Sequence, residues 1–366
     1  MSALLLTGAT GFVGMEVMAR VLTETDRDVI ALVRAEDDAA ARRRLDAILG
    51  DLLPGCVEHH GHRVSAVAAD LESPHLGLDP RRLDDLAERT QEIIHAAASV
   101  SFALPLDESR AINLTGTQRM LALADRAQAR GGLRRFAYVS TAYVAGRHRG
   151  VFTEGDHDIG QAFRNAYEQS KFEAEALVRR AADRLPVTIL RPSIVVGDRR
   201  TGWTSAFNVL YWPLRAFSRG LWDVVPAVAS SPVDVVSVDY VADAVVALST
   251  MPGGDGETYH LTAGRNASTV GEIIDLACGY FDREPPRLIA PGSPDIPEAL
   301  AKAAEYLPYF ATEVRYDDRV ARGRLQALGT VTTPLGDYFS RLLDFATLSR
   351  WGRRPISRAQ ALLAAH

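Results

Sequence analysis

The stretch Tyr167-Glu168-Gln169-Ser170-Lys171 sets a phenol and an ammonium four residues apart. On a helix that spacing puts both on one face. A tyrosine that donates a proton near neutral pH needs its phenolate stabilised, and an adjacent ammonium does so electrostatically. The same ammonium can hydrogen-bond the ribose hydroxyls of a nucleotide cofactor. Lys and Arg together number 41 in the 366 residues, and Lys occurs only at 171 and 302. A genome that favours Arg explains that background but not the exception. A compact charge on a flexible stem serves phenol and ribose together, where a planar guanidinium fits less well. The alternative is a chance Tyr–Lys pair on an ordinary helix. Thr141, in "VSTAYVAG" (139–146), offers a hydroxyl to hold a carbonyl oxygen as charge develops on it. Ser140 is the competing candidate, and a plain strand-end hydroxyl is the structural alternative.

A second group of residues is suited to phosphates. "TGATGFVG" (7–14) places Gly8, Gly11 and Gly14 between a short apolar run and a helical pattern. Glycines tighten such a turn and let backbone N–H groups approach a pyrophosphate at the helix N-terminus. The candidate cradle is Thr7, Gly8, Thr10, Gly11, Phe12, Val13 and Gly14. An NAD site would offer Asp or Glu at the end of the second strand. This chain offers Arg34, followed by Arg42, Arg43 and Arg44, which suit a 2′-phosphate and so NADPH. The competing reading is a solvated helix face whose Arg are cancelled by Glu36, Asp37 and Asp38. Asp70 is a candidate partner for the adenine amino group, or a cap for the turn before "ESP".

The elements that must position these groups alternate. Strands are expected at 3–7, 28–34, 63–70, 92–98, 134–141 and 187–193, with helices at 12–22, to about Leu49, at 106–130 and at 166–182. That alternation predicts an α/β fold, a doubly wound parallel sheet whose strand ends form the ligand crevice. After Gly197 the stretch 202–226 is dense in aromatics, then the rhythm returns at 234–248 and 257–262. A dinucleotide-binding domain is expected at 1–197 plus 233–262. A smaller, mostly helical substrate domain is expected at 198–232 plus 263–366. Trp203, Phe207, Tyr211, Trp212, Phe217 and Trp222 either line an acyl channel or simply pack that domain's core.

Bulk properties exclude several classes. A net charge of −5 gives no support to nucleic-acid binding. Two cysteines, Cys56 and Cys278, make no disulfide framework, and a reducing cytoplasm is the default expectation. No basic n-region precedes "ALLLT", and no apolar run reaches membrane-spanning length. "CVEHHGH" (56–62) lacks the paired spacing of a zinc site, so no metal is expected. "SRWGRRPISR" (349–358) is a basic stretch that is either solvated or a meeting point for CoA phosphates, an acidic carrier protein or, peripherally, a membrane.

"TGATGFVG", "AADL" (68–71), "IIHAAASVSF" (93–102), "INLTGT" (112–117), "VSTAYVAG", "YEQSK", "LRPSIVVG" (190–197) and "DVVSVDYVADAV" (234–245) occur in that order. The chain resembles an extended short-chain dehydrogenase/reductase with a Rossmann fold. Within that superfamily it is most similar to the thioester-reductase branch, which holds fatty acyl-CoA reductases and the terminal reductase domains of carboxylic acid reductases and nonribosomal peptide synthetases. The resemblance is close over about 3–262 and loose beyond. It implies Thr141, Tyr167 and Lys171 as catalytic trio, and Asn113 as a helix-kinking residue near the lysine, acting through water. It implies Arg34 and Arg44 on the 2′-phosphate, and Leu71, Ala97, Pro192, Ser193 and Val195 along the cofactor. His95, ending the fourth strand, is kept as structural.

The activity so implied is NADPH-dependent reduction of an acyl thioester, from acyl-CoA or an acyl carrier protein, to an aldehyde or onward to an alcohol. The rivals are an extended-family epimerase, dehydratase or hydroxysteroid-type dehydrogenase, a reductase of small ketones or aldehydes, and a non-catalytic NADP-sensing regulator. Arg34 argues against an NAD-retaining epimerase. The intact Tyr167/Lys171 pair argues against a regulator.

Overall fold

The computed structural model describes residues 3–53, 55–207, 209–293 and 305–364. Its centre is a seven-stranded parallel sheet. The chain runs β1 (Ala3–Thr7), α1 (Phe12–Glu24), β2 (Asp28–Val33), α2 (Asp38–Leu52), β3 (Val64–Ala68), α3 (Pro80–Arg89) and β4 (Thr90–His95). It continues through α4 (Leu106–Gly131), β5 (Arg135–Val139), α5 (Ala166–Ala181), β6 (Val187–Pro192), α6 (Val238–Thr250) and β7 (Thr258–Leu261). The strand order is β3-β2-β1-β4-β5-β6-β7, every pair parallel, with the direction of winding reversing between β1 and β4.

Strand residues alternate between two cores, as a pleat requires. Leu4, Leu6, Val29 and Ala31 face α1 residues such as Val17 and Val21 and α6 residues such as Val241. Ala3, Leu5, Ile30 and Leu32 face the side covered by Leu86 of α3, Met120 of α4 and Val178 of α5. Both faces are buried, which is why these strands read as continuous apolar runs.

The strands lie within a few residues of their expected ranges, and α3 was not among the expected helices. That helix is charge-dense, with Leu83, Leu86 and Ala87 its buried residues. Its start is signalled by Asp79, which accepts from the N–H groups of Arg81 and Arg82, and by Pro80 in the first turn. The helix expected over 106–130 is continuous but carries a π-turn at Ala111–Thr115.

The aromatic stretch is mostly core. Tyr211, Phe217 and Trp222 pack with Ile273, Phe339 and Leu342 in a second cluster. Trp203 joins the nucleotide-binding core instead, its ring beside Phe12 and its Nε1 donating to the Ile356 carbonyl. The region after 263 does not all join the second cluster. The helices Arg319–Ala327 and Arg358–Ala364 place Ala321, Leu325 and Ala361 in the nucleotide-binding core. Arg358 is buried and reaches the Glu16 carboxylate at 2.6 Å, so "SRWGRRPISR" is not simply a solvated basic tail. Among the described residues no helix is long and apolar enough to cross a membrane.

Two core histidines are held neutral. His260 on β7 has Nε2 3.1 Å from Arg191 Nη1, a donor, so Nε2 accepts and Nδ1–H donates to the Asp317 carbonyl at 2.8 Å. His95 is likewise buried, and burial brings both imidazoles from 6.5 down to about 3. The unfolded chain therefore binds more protons between those values, so this contribution is whole above 6.5 and is lost as pH falls toward 3. Glu175, held at about 2, adds to acid sensitivity only below its ordinary 4.5. The thermal midpoint should therefore fall between about pH 7 and about pH 5. His260→Gln should flatten that slope, and an equal slope in the variant would contradict the assignment.

Candidate active site

Every residue of the candidate site lies at the C-terminal edge of the sheet or in the segment that follows. Gly8 takes a φ of +75° immediately after β1, and a Cβ there would stand 2.8 Å from the Ala96 and Ala97 backbone. A Cβ on Gly14 would stand 2.1 Å from the Gly8 carbonyl oxygen. Both positions exclude a side chain, and the Gly8–Gly11 turn is closed by a 2.8 Å backbone hydrogen bond. The result is a turn that leads into the N-terminus of α1, with Thr10, Gly11, Phe12 and Val13 along it. This geometry fits a dinucleotide pyrophosphate.

Thr7, expected in the cradle, also joins a chain of hydrogen bonds. Its hydroxyl accepts from Ala97 N–H at 3.1 Å and meets His95 Nδ1 at 2.7 Å. His95 Nε2 lies 3.1 Å from Thr117 Oγ1, which itself donates to the Asn113 carbonyl at 2.6 Å. Thr117 can then only accept from Nε2–H, so Nδ1 accepts from Thr7. His95 is structural, as expected, and Thr7 is a link in that chain. Asn113 sits inside the π-turn. Its amide donates to Ser99 O (3.1 Å) and Ser170 Oγ (2.9 Å), and its carbonyl accepts from Ser99 N (2.8 Å). The structure shows a π-turn at Asn113, and its side-chain contact falls on Ser170, next to Lys171.

Arg34 follows β2 with its side chain 76% exposed and a loose 3.5 Å contact to Glu72. Arg44 donates to the Arg34 carbonyl at 3.1 Å, so these two stand together. Arg42 is turned away to Asp46 and the Gly61 carbonyl. The acids expected to cancel this charge are partly engaged elsewhere: Asp37 caps α2, and Asp38 pairs with Arg82 at 2.7 Å. Asp70 braces its own turn. Its two carboxylate oxygens accept from Glu72 N–H and Ser73 Oγ, and the Ser73 bond holds it below the usual carboxylate range. Leu71 packs against Gly116 of α4.

Ser140 and Thr141 are distinguished by their partners. Ser140 Oγ donates to Glu175 at 2.7 Å. Thr141 Oγ1 lies 3.4 Å from the Pro192 carbonyl and close enough to the Tyr167 phenol to act on its ionisation. Tyr167 sits in the first turn of α5, which Asn165 caps by accepting from Glu168 N–H. Burial pushes its phenol up to about 12, and the Thr141 hydroxyl pulls it back. The expected downward pull of Lys171 is not what governs it. The Lys171 ammonium instead donates to the Val139 carbonyl at 2.8 Å and lies 4.3 Å from the Tyr138 ring centroid. Burial brings it down to about 7, opposed by the Glu175 carboxylate. An ammonium has three donors, and this bond uses one.

Pro192 ends β6, Ser193 N–H donates to Leu261 O at 3.3 Å, and Val195 pairs with Val236 beside them. The sequence reading missed three neighbours of the trio. Glu175 is four residues past Lys171, a spacing legible in "KFEAE". Phe102 stands 5.7 Å from the Tyr167 ring and stacks on Tyr309 at 5.3 Å. Tyr309 comes from the C-terminal region, where no local pattern points to it. "CVEHHGH" buries Cys56 and turns His59 to the Gly55 carbonyl at 2.6 Å. Among the described residues no group of three or more His, Cys, Asp or Glu could hold a metal ion.

Residues 6–245 match the family model of the NAD-binding male sterility proteins, and the chain belongs to that family. It is an extended short-chain dehydrogenase/reductase of the thioester-reductase branch, with a nicotinamide dinucleotide site. It is 35% identical over 253 residues to an isonitrile lipopeptide synthase of Streptomyces coeruleorubidus, covering 67% of this chain. The chain spans 16% of that relative's length. Among solved structures it is similar to the terminal R domain of the myxalamid PKS-NRPS pathway, with a TM-score of 0.83, 27% identity and 96% and 92% of the two chains covered. A thiolation-reductase di-domain of an archaeal nonribosomal peptide synthetase shares the fold at a TM-score of 0.78 and 20% identity, over 96% of this chain and 76% of the other.

Proposed function

We propose that the chain reduces an acyl thioester, carried by CoA or a carrier protein, to an aldehyde with NADPH. The observation that carries this reading is the meeting of Thr141 and Tyr167 at the strand ends with Lys171 one turn along α5, in a chain that aligns over 96% of its length with a terminal R domain. Thr7–Gly14 would cradle the pyrophosphate, Lys171 the ribose hydroxyls, and Pro192, Ser193 and Val195 would flank the nicotinamide. Arg34 and Arg44, exposed and adjacent, favour a 2′-phosphate and so NADPH over NADH. Bound there, the cofactor would supply hydride to the thioester carbonyl carbon.

The residues of the chain act on the oxygen. Thr141 and Tyr167 donate hydrogen bonds to the carbonyl oxygen as it gains negative charge. A phenol near 12 stays protonated at neutral pH and can pass its proton to that oxygen. The resulting hemithioacetal releases thiol and leaves the aldehyde. Lys171, below its ordinary range yet kept charged in part by Glu175, stabilises the phenolate left behind. Phe102, backed by Tyr309, packs beside the phenol and limits water there.

Nicotinamide absorbance with purified protein, NADPH and acyl-CoA tests this. Oxidation should require the thioester and release thiol, and one NADPH per thiol marks an aldehyde product where two mark an alcohol. Thr141→Val should lower kcat by about 10²-fold, and Tyr167→Phe should abolish turnover. Turnover of free aldehydes or ketones with no reaction of any thioester would overturn the reading. Separately, Arg34→Ala should raise KM for NADPH by about tenfold and leave NADH almost unaffected. Equal effects on the two cofactors would contradict the 2′-phosphate assignment.

A further inference from the structure

A groove of about 540 Å³ lies beside the aromatic cover of Tyr167. One wall carries Arg147, His148 and Arg149, which follow the Thr141 turn, and Arg164, which precedes α5. The rest of the described lining is largely apolar, with Leu307 and Pro308. Among the described residues Glu313 is the one acid lining the groove. The chain as a whole is negative, so this is a local reversal of charge.

The partners of these cations show what remains for a ligand. The Arg164 side chain is 6% exposed and is held by Glu168 and the Gly146 carbonyl, so it is a fixed part of the groove. Arg149 and Glu313 form a 3.4 Å pair with side chains 80% and 58% exposed, a weak and screened contact. Arg147 forms no ion pair among the described residues, and its Nε has only the Phe163 carbonyl at 3.5 Å. Exposed guanidinium groups in a groove are suited to a phosphate, which they bind by charge-assisted hydrogen bonds.

The groove is tied to the reacting centre. The Arg164 guanidinium lies 5.4 Å from the centroid of Tyr309, the ring that stacks on Phe102, which in turn meets Tyr167. The cations expected at the dinucleotide's own phosphate, Arg34 and Arg44, stand after β2, on the other side of the β1/β4 reversal from β5. An anion in the groove is therefore best explained as part of the second substrate. We propose that this groove binds the 4′-phosphate of the pantetheine arm that carries the acyl thioester, with Arg147 and Arg149 as its partners. The assignment rests on the thioester reading, and it applies equally to CoA and to a carrier-borne arm, whose common element is that phosphate.

The test compares acyl-pantetheine with acyl-4′-phosphopantetheine, which differ only in the phosphate, in the wild-type protein and in Arg147→Ala/Arg149→Ala. The double variant should raise KM for the phosphorylated substrate by about tenfold. KM for the unphosphorylated one, and kcat for both, should stay as in wild type. Equal changes for both substrates, or none for either, would overturn the assignment. A penalty with acyl-CoA but not with acyl-4′-phosphopantetheine would place the adenosine phosphates there instead and also overturn it. If the wild-type protein reduces neither substrate, the thioester reading fails by itself. Calorimetry with 4′-phosphopantetheine then decides the groove: binding lost in the double variant supports it, and no binding to wild type overturns it.

Discussion

The site is organised around one buried carboxylate. Glu175 is fully buried on α5 and accepts from Ser140 Oγ at the end of β5, from Arg191 Nε and Nη2 on β6, and from Arg179 on its own helix. Burying Glu175 and Arg191 side by side is costly, and the pair is tolerated because both oxygens are saturated with donors, which hold Glu175 at about 2. Removing one partner of such a pair typically costs about 3–5 kcal/mol, because the other charge is left uncompensated. Its benefit is placement. Ser140 precedes Thr141, Arg191 precedes Pro192, and Lys171 lies one helical turn before Glu175. A single side chain thereby fixes the helix that carries Tyr167 and Lys171 against the two strand ends that carry Thr141 and Pro192.

A second, neutral chain of hydrogen bonds performs the same service for the dinucleotide side. It runs from Ala97 N–H through Thr7, His95 and Thr117 to Asn113, whose amide then grips Ser99 and Ser170. The π-turn in α4 is what brings the Asn113 side chain into that position. The C-terminal region closes the arrangement from the far side. Tyr309 OH donates to Glu168 at 2.7 Å and accepts from Asn165 at 2.9 Å, so the cap of α5 is shared with the segment that also walls the basic groove.

Much of this was legible in the sequence because it is local. Parallel strands buried on both faces announce themselves as apolar runs, and the spacing of Gly8, Gly11 and Gly14 reports close backbone approach. The i, i+4 spacing of Tyr167 and Lys171 placed both on α5. What was not legible depends on contacts distant in sequence. Nothing near Ser140 says that Glu175 will claim it and leave Thr141 to the phenol. Nothing near Lys171 says that its ammonium will bond the Val139 carbonyl. Asp70 was ambiguous between adenine and its own turn because both roles use the same residue type. Arg358 looked like surface charge because its partner, Glu16, is far away in the chain. The helix α3 was passed over because its few apolar residues are swamped by charge, although Asp79-Pro80 marks its start.

Burial opposed by Glu175 sets the protonation of Lys171, and this can be measured with no substrate. The chain has only two lysines, so selective labelling of the lysine side chains gives a spectrum of two signals, assigned with Lys171→Arg. Lys171 should titrate near 7 in the wild-type protein. It should move further down in Glu175→Gln, which removes the anion that favours the charged form. A Lys171 that titrates at an ordinary value of about 10.4 and is indifferent to Glu175 would contradict the claim that this carboxylate governs the site.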